Sequence, residues 1–302
     1  MDFLNKFDKQ QVQKITLIVI AALTVLALVL LLVIIIASIN PANPFGLADG
    51  FSDLKEITVT EQDLQTGSLV LADEDHPYNP NEDWLDLLSS GGKVTSEGKT
   101  YGCGDYRDEN LEKDENGNSL YKYYMNEKHQ MQLTKECMYF AHKMFTDAEK
   151  EVALDQLFIK YCYGYVEDAN DEYNTALLVT MAGYSDSYEV IDFPDQYRKW
   201  FDKHADEYGF IKSFEDSYRY VGVAHAKAIS DSKDINSLAD YIEYLKENTS
   251  VDKTIEIEVD GATYKSYYVS CQAGDTIKVP KGAEYTISGT NEGGVVVTVK
   301  VK

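Results

Sequence analysis

The hydrophobic and polar positions of the chain follow patterns that change along its length. Residues 15–39 are apolar almost without interruption and hold no charged side chain. Between residues 134 and 245, many apolar positions recur at steps of three and four, which is typical of amphipathic helices. The first of these helices is predicted to begin after the capping residue Thr134 and to run to about Glu151, with its apolar stripe in the core. From residue 252 onward, apolar and polar residues alternate between short turns, which is typical of β-strands. These patterns predict an apolar helix, then an α+β region, then an all-β region.

The apolar segment at residues 15–39 is predicted to be a transmembrane helix. At about 1.5 Å per residue it extends roughly 37 Å, which is enough to cross the hydrocarbon core of a bilayer. It lacks the short apolar region and the small-residue cleavage site of a signal peptide, so we expect an uncleaved anchor. Lys6, Lys9 and Lys14 precede it, and the positive-inside bias then predicts a cytoplasmic tail at residues 1–14 and an extracellular remainder.

Proline and glycine residues predict an extracellular linker over residues 40–66. Residues 67–249 combine amphipathic helices with predicted strands, of which Gly67–Leu71 is the first, and are assigned to an α+β domain. Residues 252–302 hold five short predicted strands, separated by glycine-containing turns, at 254–259, 263–270, 276–279, 285–288 and 295–301. They are assigned to a small all-β domain resembling a sandwich.

Composition adds a strong negative charge to this picture. The formal net charge is −23; residues 1–40 carry +1, so the residues after 40 carry −24. Such a surface repels nucleic acid and suits a basic partner or divalent cations, so we expect no nucleic-acid partner. Cysteines stand at positions outside the predicted membrane segment, where they form either disulfides or free buried thiols: Cys103, Cys137, Cys162 and Cys271.

Several short motifs follow one another in an unusual order. YGFI at Tyr208–Ile211 precedes RYVG at Arg219–Gly222. Two helical patterns follow, the first with apolar residues at Ala224, Ala228 and Ile229 and the second at Leu238–Leu245. This order resembles the C-terminal half of the VanY-type zinc D-alanyl-D-alanine carboxypeptidases, which trim the peptidoglycan stem peptide. The segment Leu69–Pro77 is similar to the beginning of the same family's domain. The tail motif at Tyr285–Asn291 is similar to the C-terminal module of some Gram-positive VanY-like proteins.

The resemblance implies an α+β core, with a small antiparallel sheet and flanking helices, preceded by the transmembrane helix and followed by the all-β domain. It also implies where zinc ligands would stand. Tyr173 and Thr180 occupy the positions of the first histidine and the aspartate, and Ser217 occupies that of the second histidine. The general-base glutamate of the family falls on Phe214, with Glu215 one position away.

A catalytic zinc site needs three side chains with lone pairs for the metal and an open position for water. Neutral Tyr, Thr and Ser do not supply them, so the chain is interpreted as a degenerate family member with no zinc, no other cofactor and no catalytic residue. His204 and His225 are expected to have surface or packing roles. The residues predicted to line the remnant pocket and to be candidates for binding are Tyr165, Tyr173, Thr180, Phe214, Glu215, Ser217 and Arg219.

These inferences predict a membrane-anchored extracellular pseudo-carboxypeptidase that binds a peptidoglycan stem peptide or an envelope protein. One alternative is an active but divergent zinc carboxypeptidase whose ligands stand elsewhere in the sequence. Another is a structural subunit of an envelope assembly. Metal analysis separates the first two hypotheses, and co-purification of a stoichiometric partner would favour the third.

Overall fold

The computed structural model describes residues 46–89, 93–96, 99–102, 132–152, 157–163, 171–184 and 190–302. All of them belong to one compact unit, Phe45–Lys302. The cytoplasmic tail and the transmembrane helix predicted for residues 1–39 lie outside the described residues. Within the described ranges, no helix is both long and apolar enough to cross a bilayer.

The helices of the described ranges are α1 (Glu61–Gln65), α2 (Lys135–Val152), α3 (Asp195–His204), α4 (Val223–Asp231) and α5 (Leu238–Asn248). Short 3-10 helices lie at Glu82–Trp84, Glu172–Thr175 and Ala205–Tyr208. The strands are β1 (Leu47–Asp49), β2 (Leu54–Thr58), β3 (Leu87–Ser89), β4 (Lys93–Ser96), β5 (Lys99–Gly102), β6 (Gln132–Thr134), β7 (Leu157–Tyr161), β8 (Leu178–Tyr184), β9 (Val190–Ile191), β10 (Phe210–Phe214), β11 (Ser217–Tyr220), β12 (Lys253–Val259), β13 (Ala262–Ser270), β14 (Thr276–Pro280), β15 (Glu284–Gly289) and β16 (Gly294–Lys300).

An antiparallel sheet with the strand order β10-β11-β8-β7 lies in the α+β region, and β9 pairs with β8. Helix α2 begins where Thr134 accepts a hydrogen bond from the backbone N–H of Cys137. The apolar stripe of α2 is buried in the core beside this sheet, at Cys137, Ala141, Met144, Phe145 and Ala148. The helix predicted after Thr134 is therefore confirmed, and so is its buried face.

Helices α4 and α5 pack against a second antiparallel sheet, whose strand order is β1-β12-β13-β16-β15. Gly222 precedes α4 with φ 88°, a left-handed conformation that favours glycine. The two helices predicted from the pattern after Gly222 are confirmed. The five strands predicted after residue 252 are also confirmed, with ends that differ by a residue or two.

The linker predicted for residues 40–66 is wrong for most of its length. Strand β1 pairs with β12, and β2 pairs with β14, so this stretch belongs to the C-terminal sheets. Thr60 then caps α1 through a reciprocal pair of hydrogen bonds with Asp63. Gly46 and Gly50 marked the two ends of β1 correctly. They did not reveal the pairing, because the partner strands lie near the other end of the sequence.

The boundary predicted near residue 250 does not separate two cores. One cluster of buried apolar residues contains Tyr241 and Leu245 of α5 together with Ile255 and Tyr268 of the C-terminal strands. The same cluster includes Leu69, from the segment predicted to be a strand at Gly67–Leu71. That segment is not a strand in the structure. The α+β and all-β regions therefore share a core and form one folded unit.

Cys137, Cys162 and Cys271 are buried, and Cys271 is a free thiol. Of the two possibilities left open by the sequence, Cys271 therefore follows the second. Cys103 lies outside the described residues.

Candidate functional site

Three hydroxyl side chains, which we call the hydroxyl cluster, meet on the sheet of the α+β region: Tyr173, Thr180 and Ser217. The Tyr173 hydroxyl is hydrogen-bonded to Thr180 Oγ1, which lies 2.5 Å from Ser217 Oγ. The register of β8 and β11 places Thr180 opposite Ser217, and Tyr173 comes from the 3-10 helix that precedes β8. The positions aligned with the three zinc ligands of the family are therefore brought together.

The chemistry of the hydroxyl cluster does not suit zinc. Burial raises the pKa of the Tyr173 phenol, against the opposite effect of its hydrogen bonds with Thr180 and Ser217, so the phenol is protonated at neutral pH. Structural and catalytic zinc ions are bound by thiolates, imidazoles and carboxylates rather than by neutral hydroxyls. In the part of the chain that the structure describes, no group of three or more His, Cys, Asp and Glu side chains is placed to hold a metal.

A cleft of about 670 Å³ opens beside the hydroxyl cluster, and Tyr173 lines it. Phe214 also lines the cleft, and 61% of its surface is exposed. The register between β10 and β11 shifts between Lys212 and Phe214, and irregularities of this kind redirect a side chain out of the ladder. The lining residues are Leu71–Glu74, Asp171–Tyr173, Ile211–Phe214 and Asn236–Ala239.

Carboxylates give the cleft a negative charge. Asp73, Glu74 and Asp171 line it, and none of the three is paired with a Lys or Arg among the described residues. Asp171 instead accepts a hydrogen bond from the backbone N–H of Tyr173 at 3.0 Å, which begins the 3-10 helix. The cleft therefore attracts cationic groups and opposes the approach of carboxylates.

Lys212 is the basic residue in the lining, but its ammonium lies 2.9 Å from Asp202, outside the lining. Glu172 is the fourth carboxylate, and its Oε1 lies 3.5 Å from Nε of Arg219. Its Oε2 accepts a hydrogen bond from Ser213 at 2.6 Å. Glu172 is thus partly neutralised by Arg219, whereas Asp73, Glu74 and Asp171 have no Lys or Arg partner among the described residues.

Arg219 was predicted as a binding candidate, but it is fully buried and does not line the cleft. Its guanidinium donates hydrogen bonds to Thr175 and to the backbone carbonyls of Ser68, at 3.3 Å, and Val70, at 2.9 Å. Burial lowers the pKa of Arg219, and Glu172 opposes this effect. The prediction was wrong because a charged side chain within a family motif can donate its hydrogen bonds to backbone carbonyls instead of to a ligand.

The other predicted pocket residues have different positions. Glu215 does not line the cleft; its side chain is 83% exposed and lies 3.7 Å from Arg198. Tyr165 lies outside the described residues. Sequence reasoning missed two walls of the cleft, Leu71–Glu74 and Asn236–Ala239, because no local pattern marks segments that meet only in the folded chain.

A second buried set of hydrogen bonds, which we call the histidine network, lies away from the cleft. His225 is 2.9 Å from the Tyr241 hydroxyl through Nδ1 and 2.9 Å from Thr298 Oγ1 through Nε2. Ser266 donates to Thr298 at 3.0 Å. Burial lowers the pKa of His225 to about 4, so the ring is neutral at pH 7. The packing role predicted for His225 is confirmed.

His204 has the surface role that was also predicted. Its Nδ1 lies 2.8 Å from Glu207, and its ring stacks on Trp200 at 4.8 Å between centroids.

The sequence of the chain is similar to that of one known peptidase. No protein-family model matches the chain. A D-alanyl-D-alanine carboxypeptidase of Enterococcus faecium is 34% identical over 114 residues, which make up 33% of this chain and 36% of the carboxypeptidase. The chain therefore matches only about a third of the length of this curated relative.

Two crystal structures are also similar. The vancomycin-resistance D,D-dipeptidase VanXYg, solved with a D-Ala-D-Ala phosphinate analog, aligns with a TM-score of 0.55 and 19% identity over 82% of this chain and 100% of VanXYg. A point mutant of the vancomycin-resistance D,D-pentapeptidase VanY, solved with Zn(II), aligns with a TM-score of 0.33 and 14% identity over 58% of this chain and 98% of VanY, which is too weak to support an argument.

The described region has the α+β fold of a D,D-peptidase. The chain is similar to the VanY-like D-alanyl-D-alanine carboxypeptidases and dipeptidases, in fold to VanXYg and in sequence to the enterococcal carboxypeptidase.

Proposed function

We propose that this chain is a membrane-anchored, extracellular pseudo-carboxypeptidase, which binds a peptidoglycan stem peptide ending in D-Ala-D-Ala without hydrolysing it. The observation that carries the proposal is the hydroxyl cluster. Three residues aligned with zinc ligands lie together beside a cleft that Tyr173 lines, yet each offers a neutral hydroxyl that is hydrogen-bonded to its neighbour. The frame of a D,D-peptidase site is retained while the donors that would bind its metal are replaced.

The choice of ligand rests on similarity and on the shape of the site. VanXYg, which has the same fold, was crystallised with a D-Ala-D-Ala phosphinate analog. A volume of about 670 Å³ suits a short peptide. Phe214 at the rim offers an exposed aromatic surface for an alanine side chain, and Ser213 and Asn236 offer polar groups for peptide units.

The placement outside the membrane rests on the N-terminal sequence. Residues 15–39 are long and apolar enough for a bilayer helix, and the preceding lysines favour a cytoplasmic N-terminus. Protease added to intact wall-free cells is expected to degrade the region after residue 45 and to spare residues 1–14. Complete protection of the C-terminal region would contradict this topology.

A second candidate ligand is favoured by the charge of the cleft. Asp73, Glu74 and Asp171 oppose the terminal carboxylate of D-Ala-D-Ala and attract amino groups. An envelope protein that presents a basic segment would satisfy these carboxylates. This candidate predicts binding that weakens steeply with salt and does not depend on a D-Ala-D-Ala terminus.

The test uses the full-length protein in detergent. Purified protein is expected to contain no stoichiometric zinc by metal analysis, to release no D-alanine from a pentapeptide ending in D-Ala-D-Ala, and to bind a fluorescent form of that peptide. A peptide ending in L-Ala-L-Ala is the matched control and should bind more weakly. Equal binding of both peptides would contradict the stem-peptide assignment, and binding of neither would favour the basic protein partner.

A restored variant separates a lost metal site from a misaligned one. Tyr173→His, Thr180→Asp and Ser217→His together should confer measurable but weak zinc binding, because the side chains that orient ligand histidines are absent and such support is typically worth about 10–100-fold in affinity. Equimolar zinc in the wild-type protein, lost on His204→Gln or His225→Gln, would overturn the proposal in favour of a divergent zinc carboxypeptidase.

A further inference from the structure

We propose that the C-terminal segment Ser288–Asn291 positions one wall of the cleft, and that Asn291 is a positioning residue for the cleft ligand. The cleft wall is defined here as residues 67–77, which include the lining residues Leu71–Glu74. Contacts within the protein support the statement that this segment holds the wall in place. The effect of the wall on binding of the peptide ligand rests on the proposed function.

Asn291 holds the cleft wall through its side-chain amide. Its Nδ2 lies 3.1 Å from the carbonyl oxygen of Leu71, 3.2 Å from that of His76 and 3.2 Å from that of Pro77. Three acceptors around one atom identify it as the NH₂ group of the amide, because a carbonyl oxygen there would be repelled by all three. Asn291 also has φ 58°, a left-handed conformation that asparagine tolerates better than most residues.

The residues before Asn291 continue the same contact. The Ser288 hydroxyl accepts a hydrogen bond from the backbone N–H of Leu69 at 2.9 Å, and the Thr290 carbonyl accepts one from the N–H of Leu71 at 3.1 Å. Between them, a Cβ added to Gly289 would lie 2.0 Å from the backbone oxygen of Leu64, so only glycine allows the segment to pass this closely beside α1.

The opposite edge of the cleft wall is held by Arg219. Its guanidinium donates hydrogen bonds to the carbonyls of Ser68 and Val70. The C-terminal segment accepts hydrogen bonds from the backbone N–H groups of Leu69 and Leu71. The wall is therefore fastened on both edges, yet it does not join a sheet, which explains why the strand predicted there is absent. Its position depends on side chains that arrive from two distant parts of the sequence.

This arrangement connects the tail motif to the cleft. The wall carries Asp73 and Glu74, two of the carboxylates that line the cleft without a Lys or Arg partner among the described residues. Asp73 is in turn held by His76, whose Nδ1 lies 2.8 Å from its Oδ1. Because the carbonyl of His76 is bound by Asn291, a loss of the amide releases both the wall and the carboxylates that it presents to a ligand.

The first test measures the wall itself. Asn291→Asp keeps the size of the side chain but places a carboxylate oxygen against three carbonyls, so backbone amides of residues 69–76 are expected to exchange hydrogen about tenfold faster. Amides of α2 serve as the internal reference and should not change. Asn248→Asp is the matched control, because Asn248 donates to a single carbonyl of α5, that of Tyr244, and does not line the cleft.

Unchanged exchange in the cleft wall of Asn291→Asp would overturn the proposal. If Asn291→Asp does not fold, Asn291→Gly removes the amide while keeping the left-handed backbone, and it should show the same local increase.

The second test measures the ligand. The fluorescent D-Ala-D-Ala peptide should bind Asn291→Asp about tenfold more weakly than wild type, with a midpoint of thermal unfolding close to that of Asn248→Asp. A loosened wall with unchanged affinity would overturn the positioning role. If wild-type protein binds no peptide, the proposed function fails, whereas hydrogen exchange still decides whether Asn291 holds the wall.

Discussion

The hydroxyl cluster and the histidine network are both sets of hydrogen-bonded side chains, but the first is partly buried and borders the cleft, whereas the second is buried. Tyr173 of the hydroxyl cluster lines the cleft. His225 of the histidine network is enclosed between α4, α5 and the C-terminal sheet, and burial alone lowers the pKa of its ring. The histidine is the better zinc ligand by chemistry, yet it lies where no ligand or water reaches it.

The difference teaches that location decides which buried polar groups are available for function. A sealed network must satisfy its own donors and acceptors, because each unpaired group in the interior is costly. A cluster beside a cleft has water or a ligand as an alternative partner. The hydroxyl cluster is therefore expected to tolerate change better than the histidine network, and the predictions below test that difference.

The largest effect is expected at Arg219, which supports the cleft from beneath. Arg219→Met should lower the free energy of unfolding by about 3–5 kcal/mol, because it leaves Glu172 and the carbonyls of Ser68 and Val70 without a buried partner. Chemical denaturation measures the change. Arg198→Met is the control, and its loss should be smaller because the Arg198 side chain is 20% exposed. Equal losses would show that burial is not the deciding factor.

Lowering the pH should destabilise the folded protein through the histidine network. Because the folded pKa of His225 is about 4 and the unfolded value is about 6.5, the unfolded chain binds more protons between these values. This contribution to stability is complete above pH 6.5 and is lost as pH falls to 4, by about 3 kcal/mol.

The measurement is chemical denaturation from pH 7 to pH 4. His225→Gln should show a shallower loss than wild type, whereas His204→Gln, at a surface helix, should keep the wild-type slope. Carboxylates titrate in the same range in all three proteins, so only the difference between them is informative. Identical slopes for wild type and His225→Gln would contradict the assignment.

The same substitution, Thr to Val, in the histidine network and in the hydroxyl cluster gives a direct comparison of the stability that each hydroxyl contributes. Thr298→Val removes the partner of His225 Nε2 and of the Ser266 hydroxyl, and should cost about 2 kcal/mol or more because no water replaces it. Thr180→Val removes the partner of Tyr173 and Ser217, and should cost about 1 kcal/mol because Tyr173 and Thr180 are only partly buried, so water replaces the lost partner. A larger loss for Thr180→Val would reverse the interpretation of the two sites.

The smallest effect on stability is expected at Phe214. Phe214→Ala should change the free energy of unfolding by less than about 0.5 kcal/mol, because the ring is mostly exposed. Binding of the D-Ala-D-Ala peptide should weaken about fivefold or more, which corresponds to roughly 1 kcal/mol. Fluorescence anisotropy measures the affinity. Val301→Ala is the control, since Val301 is 42% exposed and does not line the cleft, and it should bind as wild type does.

Local sequence patterns were sufficient to predict the elements whose own residues show which face is buried, whichever element that face packs against. The three- and four-residue spacing predicted α2, α4 and α5, and alternation predicted the strands after residue 252, since both patterns record which face of an element is buried. They were insufficient for β1 and β2, which are too short to show a clear period and gain their partners from the C-terminal strands.

The candidate site was predicted in part. Similarity to a zinc peptidase family selected Tyr173, Thr180 and Ser217, and the structure brings these three together. No pattern indicated that Asp73 and Glu74 would line the cleft or that Arg219 would be buried. Sequence shows which side chains exist, whereas cleft lining depends on loops whose paths are set by contacts elsewhere in the chain.

The sequence by itself determined the helices α2, α4 and α5, the strands after residue 252, and the presence of neutral hydroxyl side chains at Tyr173, Thr180 and Ser217. These properties depend on composition and on short-range periodicity, which folding does not alter. Only the tertiary structure decided that the two predicted domains share a core and that Asn291 holds the cleft wall. It also decided that His225 is sealed while Tyr173 borders a cleft. Each of these depends on contacts between residues far apart in the chain, and such contacts form only when burial and hydrogen bonding are satisfied for the whole molecule at once.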